Sequence, residues 1–217
     1  MKAIIFDFDG TLANTLPVCY FAFNQVFKEF DHKDLSSDEI KAMFGPSETG
    51  IIRENLLNQN KEQAIELFYK AYSENHENLV EPNKDINELI TYLKNNGVKL
   101  GIVTGKAKRS LDISLKVLQM ENLFDVIVTG DDVINPKPHP EGVIKALSTL
   151  QIEKNEAIFV GDSDADIQAG MQAKVYTVGV QWLPDYQSLE FSIEPDAIFK
   201  SVAEFHESLK IGEEKSL

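Results

Sequence analysis

The stretch "AIIFDFDGTLANT", residues 3–15, runs from four apolar residues into Asp7, then places Asp9 two positions on, with Gly10 and Thr11 directly after it. A carboxylate at the end of a buried strand is costly unless a cation, a proton or several donors compensate it. The short, β-branched "AIIF" reads as a buried parallel strand whose carboxyl end carries the polar residues. Four further runs of this kind follow: "KLGIVT" at 99–104, "VIVT" at 126–129, "AIFV" at 157–160 and "YTVGV" at 176–180. Helical patterns separate them, among them "INELITYLKNN", which ends at Gly97 as a C′ glycine. This alternation predicts an α/β fold built on a doubly wound, Rossmann-like parallel sheet. In such sheets ligands bind beyond the carboxyl ends of the strands. Asp7, Thr104 and Asp162 each fall at such an end.

One segment breaks the alternation. From Leu16 to about Val80 the pattern is helical, with Leu16, Tyr20, Phe23, Phe27 and Phe30 recurring at spacings of three and four. "SSDE" at 36–39 resembles a capping box opening a second helix, and "KEQAIELFYKAYSENH" reads as a longer one. The expected organisation is therefore a catalytic core of residues 1–14 and 82–217 with a small helical cap, 15–81, inserted into it. Thr15 and the Glu81-Pro82-Asn83 turn are the expected hinges. The terminal "EEKSL" is expected to fray.

Composition narrows the partners. Of 217 residues, 43% are hydrophobic and 26% charged, a globular balance. No run approaches the roughly 18 apolar residues of a membrane span, so no membrane association is expected. The N-terminus enters the first motif directly, which leaves no room for a signal peptide. The single cysteine, Cys19, excludes an intrachain disulfide and suits a reducing cytoplasm; on an apolar helix face it reads as packing. A net charge of −14 without a basic patch argues against nucleic acid. It leaves a small phosphorylated metabolite open, because a bound cation and one or two lysines can reverse the local field.

Four polar motifs fall at strand ends: "DFDGT" (7–11), "VTGK" (103–106), "NPKPHPE" (135–141) and "GDSDAD" (161–166). Singly each has a structural reading as a turn, a helix start or a rigid loop. Jointly, at the ends of one sheet, they converge. Asp7 and Asp162 can hold a hard cation such as Mg²⁺, which prefers oxygen ligands. Lys137 adds a fixed positive charge, Thr104 a hydroxyl, and the backbone around Gly105 N–H donors for phosphate oxygens. A carboxylate, Mg²⁺, Lys and Thr together suit phosphoryl transfer through an aspartyl phosphate. Asp9 is placed to protonate the leaving alcohol and then activate water.

In these four motifs, their order and the helical insert, the chain resembles the haloacid dehalogenase superfamily of phosphotransferases, in the branch of phosphoglycolate phosphatase and β-phosphoglucomutase. The resemblance implies that Asp7 is the nucleophile and a metal ligand. It implies that Asp9 is the acid/base and gives the metal its backbone carbonyl, and that Asp162 is a direct ligand. Thr104, Gly105 and Lys137 would bind the transferring phosphoryl group. Asp166 would orient metal waters, with Ser163 assisting or capping the helix. The dehalogenases themselves lack the second aspartate, so Asp9 argues against dehalogenation. Mutases of this branch resemble one another in an arginine three residues after a cap glycine; here that position after Gly45 holds Glu48, a carboxylate expected to repel a second phosphate.

Ser47, Glu48 and Arg53 are the candidate cap specificity residues, Arg53 also reading as a solvated helix arginine. Lys41 is the position open to the lysine of phosphonoacetaldehyde hydrolases, a disfavoured assignment. A receiver-type switch module and an idle binding relative are the non-enzymatic alternatives; a receiver would not carry its phosphoacceptor on the first strand or a long helical insert. His32, His76 and His206 lie in polar surroundings and His139 in a rigid loop, and none is assigned. Trp182 and Tyr186 read as surface packing or a dimer contact. The expected protein is a cytoplasmic, Mg²⁺-dependent phosphatase of small phosphomonoesters such as phosphoglycolate, monomer or homodimer. Inorganic pyrophosphatase and a β-phosphoglucomutase-type phosphotransferase are the alternatives.

Overall fold

The computed structural model describes residues 1–214, with side chains as far as residue 210. β1 (Ala3–Phe6) is buried along its length, Ala3 and Ile5 on one face and Ile4 and Phe6 on the other. A strand apolar on both faces belongs in the middle of a parallel sheet. Five more strands join it: β2 (Lys99–Val103), β3 (Val126–Val128), β4 (Ala157–Gly161), β5 (Tyr176–Val180) and β6 (Ala197–Phe199). They pair in the order β3-β2-β1-β4-β5-β6, all parallel. The order reverses at β1, so the crevice between the ends of β1 and β4 is the topological switch point where ligands bind in such folds. Phe6 pairs with Ile102 on one side and Val160 on the other. That register brings the residues just beyond, Asp7, Thr104 and Asp162, to one rim.

β6 has no counterpart in the sequence reading. It is three residues long, Ala-Ile-Phe, lies at the sheet edge and leaves Ile198 half exposed, so its apolar run is too short to stand out.

Five helices follow β1 before the chain returns to the sheet, the first four being α1 (Leu16–Asp31), α2 (Ser37–Lys41), α3 (Glu48–Asn55) and α4 (Lys61–Leu79). Phe23 of α1 meets Phe68 of α4 with ring centroids 4.6 Å apart. Ser36 and Glu39 form the capping box, yet the helix it opens has only five residues. Gly45, at φ +146, and Pro46 follow closely and cannot prolong it. α5 (Lys84–Asn95), capped by Asn83 and followed by Gly97 at φ +72, leads into β2. α6 (Lys108–Val117), α7 (Glu141–Leu150), α8 (Asp164–Ala173) and α9 (Val202–Glu214) complete the wrapping.

Each face of the sheet has its own core. Val143, Ala146 and Leu147 of α7 and Ala169 and Ala173 of α8 pack on Ala3, Ile5 and Phe159. On the other face Ile4, Phe6 and Ile102 meet Leu89 of α5 and Leu111 of α6, and this core continues without a break into Phe23, Phe68 and Tyr72 of the helical segment.

His76 differs from its reading. It is fully buried, with Nε2 2.9 Å from Ser114 Oγ of α6, which also meets Tyr72 Oη at 2.7 Å. Burial, reinforced by the charge of Lys106, lowers its pKa to about 4, so it is neutral at pH 7. No helix among the described residues is long and apolar enough to cross a membrane. The final residues of "EEKSL", 215–217, lie outside the described residues.

Candidate active site

The turn after β1 sets the first two carboxylates. Asp7 N–H still donates to Val160 C=O, 2.8 Å away, as a last rung of the ladder, and the chain then folds back so that Thr11, Leu12 and Ala13 N–H donate to Phe8 C=O. Gly10 makes the reversal at φ +81, and a Cβ there would lie 2.3 Å from Asp162 Oδ2. Only glycine lets the turn approach that carboxylate. Thr11 Oγ1 donates to Asp162 Oδ1 at 3.0 Å and Gln187 N–H to Asp162 Oδ2 at 2.6 Å.

Asp7, Asp162 and Asp166 bring one oxygen each to within 4.8 Å of one another, all three side chains buried. Lys137 Nζ is their nearest compensating charge, 2.5 Å from Asp166 Oδ1 and 2.9 Å from Asp7 Oδ1. The second contact is close but poorly aligned, and Asp7 Oδ1 has no hydrogen-bond donor. Burial, then repulsion from Asp166, pushes the Asp7 carboxyl up to about 7 against the pull of Lys137. Burial with the Asp166 and Asp7 charges drives Asp162 well upward too. Lys137 moves up because Asp166 and Asp7 outweigh its burial. Three carboxylates facing one ammonium, with an orphaned oxygen between them, fit a hard cation held by oxygen donors. Ser163 N–H and Oγ both bind Asp166 Oδ2, at 3.0 and 2.5 Å, so Ser163 caps α8 and fixes Asp166 in the same act.

Thr104 follows β2, its N–H bound to Val128 C=O and its Oγ1 accepting from Lys106 N–H at 3.2 Å. Gly105 comes next, at the mouth of the cavity described below.

Lys106, which stands in the quoted "VTGK" but has no role in the sequence analysis, lines the cavity as well. Its side chain is fully buried, with Nζ 3.1 Å from Asp9 Oδ1, 3.3 Å from Glu48 Oε1 and 3.5 Å from Cys19 Sγ. It also lies 4.6 Å from the Tyr72 ring centroid. Burial opposes its charge, but Asp9 first, then the neighbouring Cys19, Tyr72 and Glu48, hold its pKa well above the usual lysine value. Asp9 also accepts from Thr15 Oγ1.

Glu48 is not the free carboxylate its sequence suggested. One oxygen accepts from Ala107 N–H at 2.5 Å, the other from Ser110 Oγ while pairing with Lys106. It fastens the start of α3 to the start of α6. A cavity of about 100 Å³ opens between these groups. Asp7, Thr104, Gly105 and Lys137 line it together with Glu48 and Lys106 and the apolar Leu16, Phe23, Phe44 and Ile51.

Ser47 packs beside the approach of Gly130 to Gly105, its hydroxyl 3.2 Å from Thr49 Oγ1. Arg53 points away from the site, half exposed and paired with Glu62 at 3.1 Å, so the solvated reading describes it. Lys41 lies outside the cavity lining and donates to Gln187 C=O. Trp182 Nε1 donates to Thr11 C=O at 2.8 Å and its ring packs on Phe205, which makes it an internal strut of the site.

The profile of the haloacid dehalogenase-like hydrolases matches residues 4–180 of this chain. The chain belongs to that family. Pyrophosphatase PpaX of Bacillus cereus (strain B4264) is 32% identical over 205 residues, covering 94% of both chains. The crystal structure of a predicted phosphoglycolate phosphatase from Haemophilus somnus 129pt superposes with a TM-score of 0.82 at 26% identity, covering 98% of both. CbbY from Rhodobacter sphaeroides, solved with phosphate, shares the fold at 23% identity and a TM-score of 0.81, over 94% of this chain and 96% of that one. As a haloacid dehalogenase-like hydrolase with phosphatase-named relatives, the chain is a hydrolase of phosphoric ester bonds.

Proposed function

We propose that this haloacid dehalogenase-like hydrolase is a Mg²⁺-dependent phosphatase of small phosphomonoesters that works through an aspartyl phosphate on Asp7. The observation that carries the reading is the buried Asp7 carboxylate, which faces the cavity beside Thr104, Gly105 and Lys137 with one oxygen lacking a donor. Asp7, Asp162 and the Asp9 backbone carbonyl would hold the Mg²⁺, with Asp166, fixed by Ser163, orienting its waters. When bound, Mg²⁺ supplies charge neutralisation for the phosphoryl oxygens.

The chain's own residues do the rest. Lys137, the Thr104 hydroxyl and the Gly105 N–H orient the phosphoryl group in line with Asp7. Asp7 attacks phosphorus, the ester bond breaks, and Asp9 gives its proton to the leaving alkoxide. Water then attacks the aspartyl phosphate, Asp9 takes its proton, and phosphate leaves with Asp7 restored. Lys106 and Thr15 hold Asp9 towards the leaving group. In this reading residues 15–81 act as a cap on the core of 1–14 and 82–217, excluding bulk water during the reaction. The lone Cys19 and the negative net charge favour a cytoplasmic setting without nucleic acid.

Inorganic pyrophosphate is the second reading, favoured by the names of relatives at 30–32% identity. It needs the same steps with phosphate as the leaving group. A mutase has less support, since among the described residues no arginine lines the cavity.

Phosphate release from a panel of small phosphates, in Mg²⁺ and then in EDTA, tests the proposal. Metal-dependent release that disappears in Asp7→Asn is the expected result. Undiminished release by Asp7→Asn would remove Asp7 as the nucleophile.

A further inference from the structure

Two lysines line the cavity, and each already has its counterions. Lys137 serves the phosphoryl end with Asp7 and Asp166. Lys106 meets two carboxylates, Asp9 and Glu48, and the Cys19 sulfur, and in the proposed mechanism, where Asp9 serves the leaving group, it is the cation of that end. An ammonium has three donors, and these three neighbours surround them. Glu48 pairs with Lys106, and Asp9 has to carry a proton when the ester bond breaks, so this end has no cation left over for a further anion. The same cavity is lined by the apolar side chains of Leu16, Phe23, Phe44 and Ile51.

A second phosphate or a carboxylate on the leaving group would enter this end unpaired, which is costly where water is excluded. A short uncharged alcohol would meet the hydrocarbon of Leu16, Phe23, Phe44 and Ile51 without needing a counterion. We propose that Glu48 determines specificity by occupying Lys106, so that the enzyme takes small phosphomonoesters with an uncharged leaving group and discriminates against those bearing a second anionic group. This deepens the phosphatase reading and rests on it. It also sets the chain apart from a pyrophosphatase and from a phosphoglycolate phosphatase, because both of those substrates carry a second anion.

The experiment compares kcat/KM at saturating Mg²⁺ for ethyl phosphate and glycerol 2-phosphate against phosphoglycolate and pyrophosphate. In the wild type the uncharged pair is expected to lead by about tenfold, a cautious figure beside the Coulomb energy of one unit charge in partly buried surroundings. Glu48→Gln keeps one carbonyl acceptor, for Ala107 N–H, lets its amide donate to the Ser110 hydroxyl in place of accepting from it, and removes the charge. It is expected to raise the ratio of anionic to uncharged substrates about tenfold. Ser110→Ala, which loosens Glu48 without discharging it, is expected to leave that ratio near the wild-type value.

Wild-type preference for phosphoglycolate or pyrophosphate, with metal-dependent release intact, would overturn this proposal alone. So would an unchanged ratio in Glu48→Gln, or an equal rise in Ser110→Ala, which would make the effect one of packing. If Glu48→Gln fails to fold, the wild-type comparison decides. Absence of hydrolysis across the panel would overturn the phosphatase reading and this proposal with it.

Discussion

Withdrawing divalent cations is expected to weaken the fold most at neutral pH. Asp7, Asp162 and Asp166 crowd three ligand oxygens within 4.8 Å, and Lys137 supplies one opposing charge. Burial and the charge of Asp166 raise Asp7 from 3.8 to about 7. A carboxyl whose folded pKa lies above its unfolded value stabilises the fold while protonated. That contribution is complete below pH 3.8 and is lost as pH rises through about 7. Each pH unit in the window costs about 1.4 kcal/mol, or on the order of 4 kcal/mol across it. Lys137, held above its usual value, stays charged throughout and does not reverse the sign.

In EDTA, Asp7→Asn is therefore expected to be more stable than the wild type at pH 7.5, with the gap closing towards pH 5. Mg²⁺ acts in the opposite sense on the wild type. At a hundred times its Kd it contributes about 2.7 kcal/mol, and in a chain of this size each kcal/mol moves Tm by about 2–4 °C. Circular-dichroism melts should show Tm rising by about 5–10 °C at pH 7.5 when Mg²⁺ replaces EDTA. At pH 5 the gain shrinks, because ligands must first lose protons. A Tm indifferent to Mg²⁺ at pH 7.5, or a larger gain at pH 5 than at 7.5, would refute the reasoning.

Arg53→Ala is expected to leave kcat/KM within about twofold and stability within about 0.5 kcal/mol, as for an exposed ion pair; a larger loss of kcat/KM in steady-state assays would bring Arg53 back to the substrate. Phe68→Ala removes a fully buried ring packed between Phe23 and Tyr72, and urea unfolding should register a loss of about 3–5 kcal/mol. A loss under about 1 kcal/mol would mean that the helical segment does not share the core of the sheet.

The sheet was legible because parallel strands are buried on both faces, so β1 and β4 announce themselves as apolar runs, and β2, β3 and β5 as short runs rich in β-branched residues. β6, short and at the edge, has no such signature. His76 was misread from its neighbours: Ser73, Glu74, Glu77 and Asn78 are exposed, but they occupy the other side of α4. Phe68, Tyr72 and His76 recur at intervals of four on the buried side, and that periodicity was the available signal. Lys106 was visible as part of "VTGK", but nothing in a linear motif tells a buried lysine from a helix-start lysine. Its partners, Asp9 and Glu48, come from other segments of the chain.

The pairing of charges explains why Asp7 and Asp9, two positions apart, meet such different surroundings. Asp9 is answered completely, by Thr15 nearby and by Lys106, 97 positions away. Asp7 is answered incompletely, by Lys137 and no hydrogen bond on Oδ1. A carboxylate held by an ammonium and a hydroxyl is fixed in place, at a set distance from the crevice. One left under-compensated in a dry crevice is suited to a cation and an electrophile, which supply what the protein withholds. The difference comes from register: Phe6 pairs with Ile102 and Val160, so the next residue faces the crevice between strands. After it, the turn at Gly10 carries Asp9 on towards the helical segment. The asymmetry on which the proposed chemistry depends is thus a property of one strand end and one glycine turn, completed by residues that only the folded chain brings near.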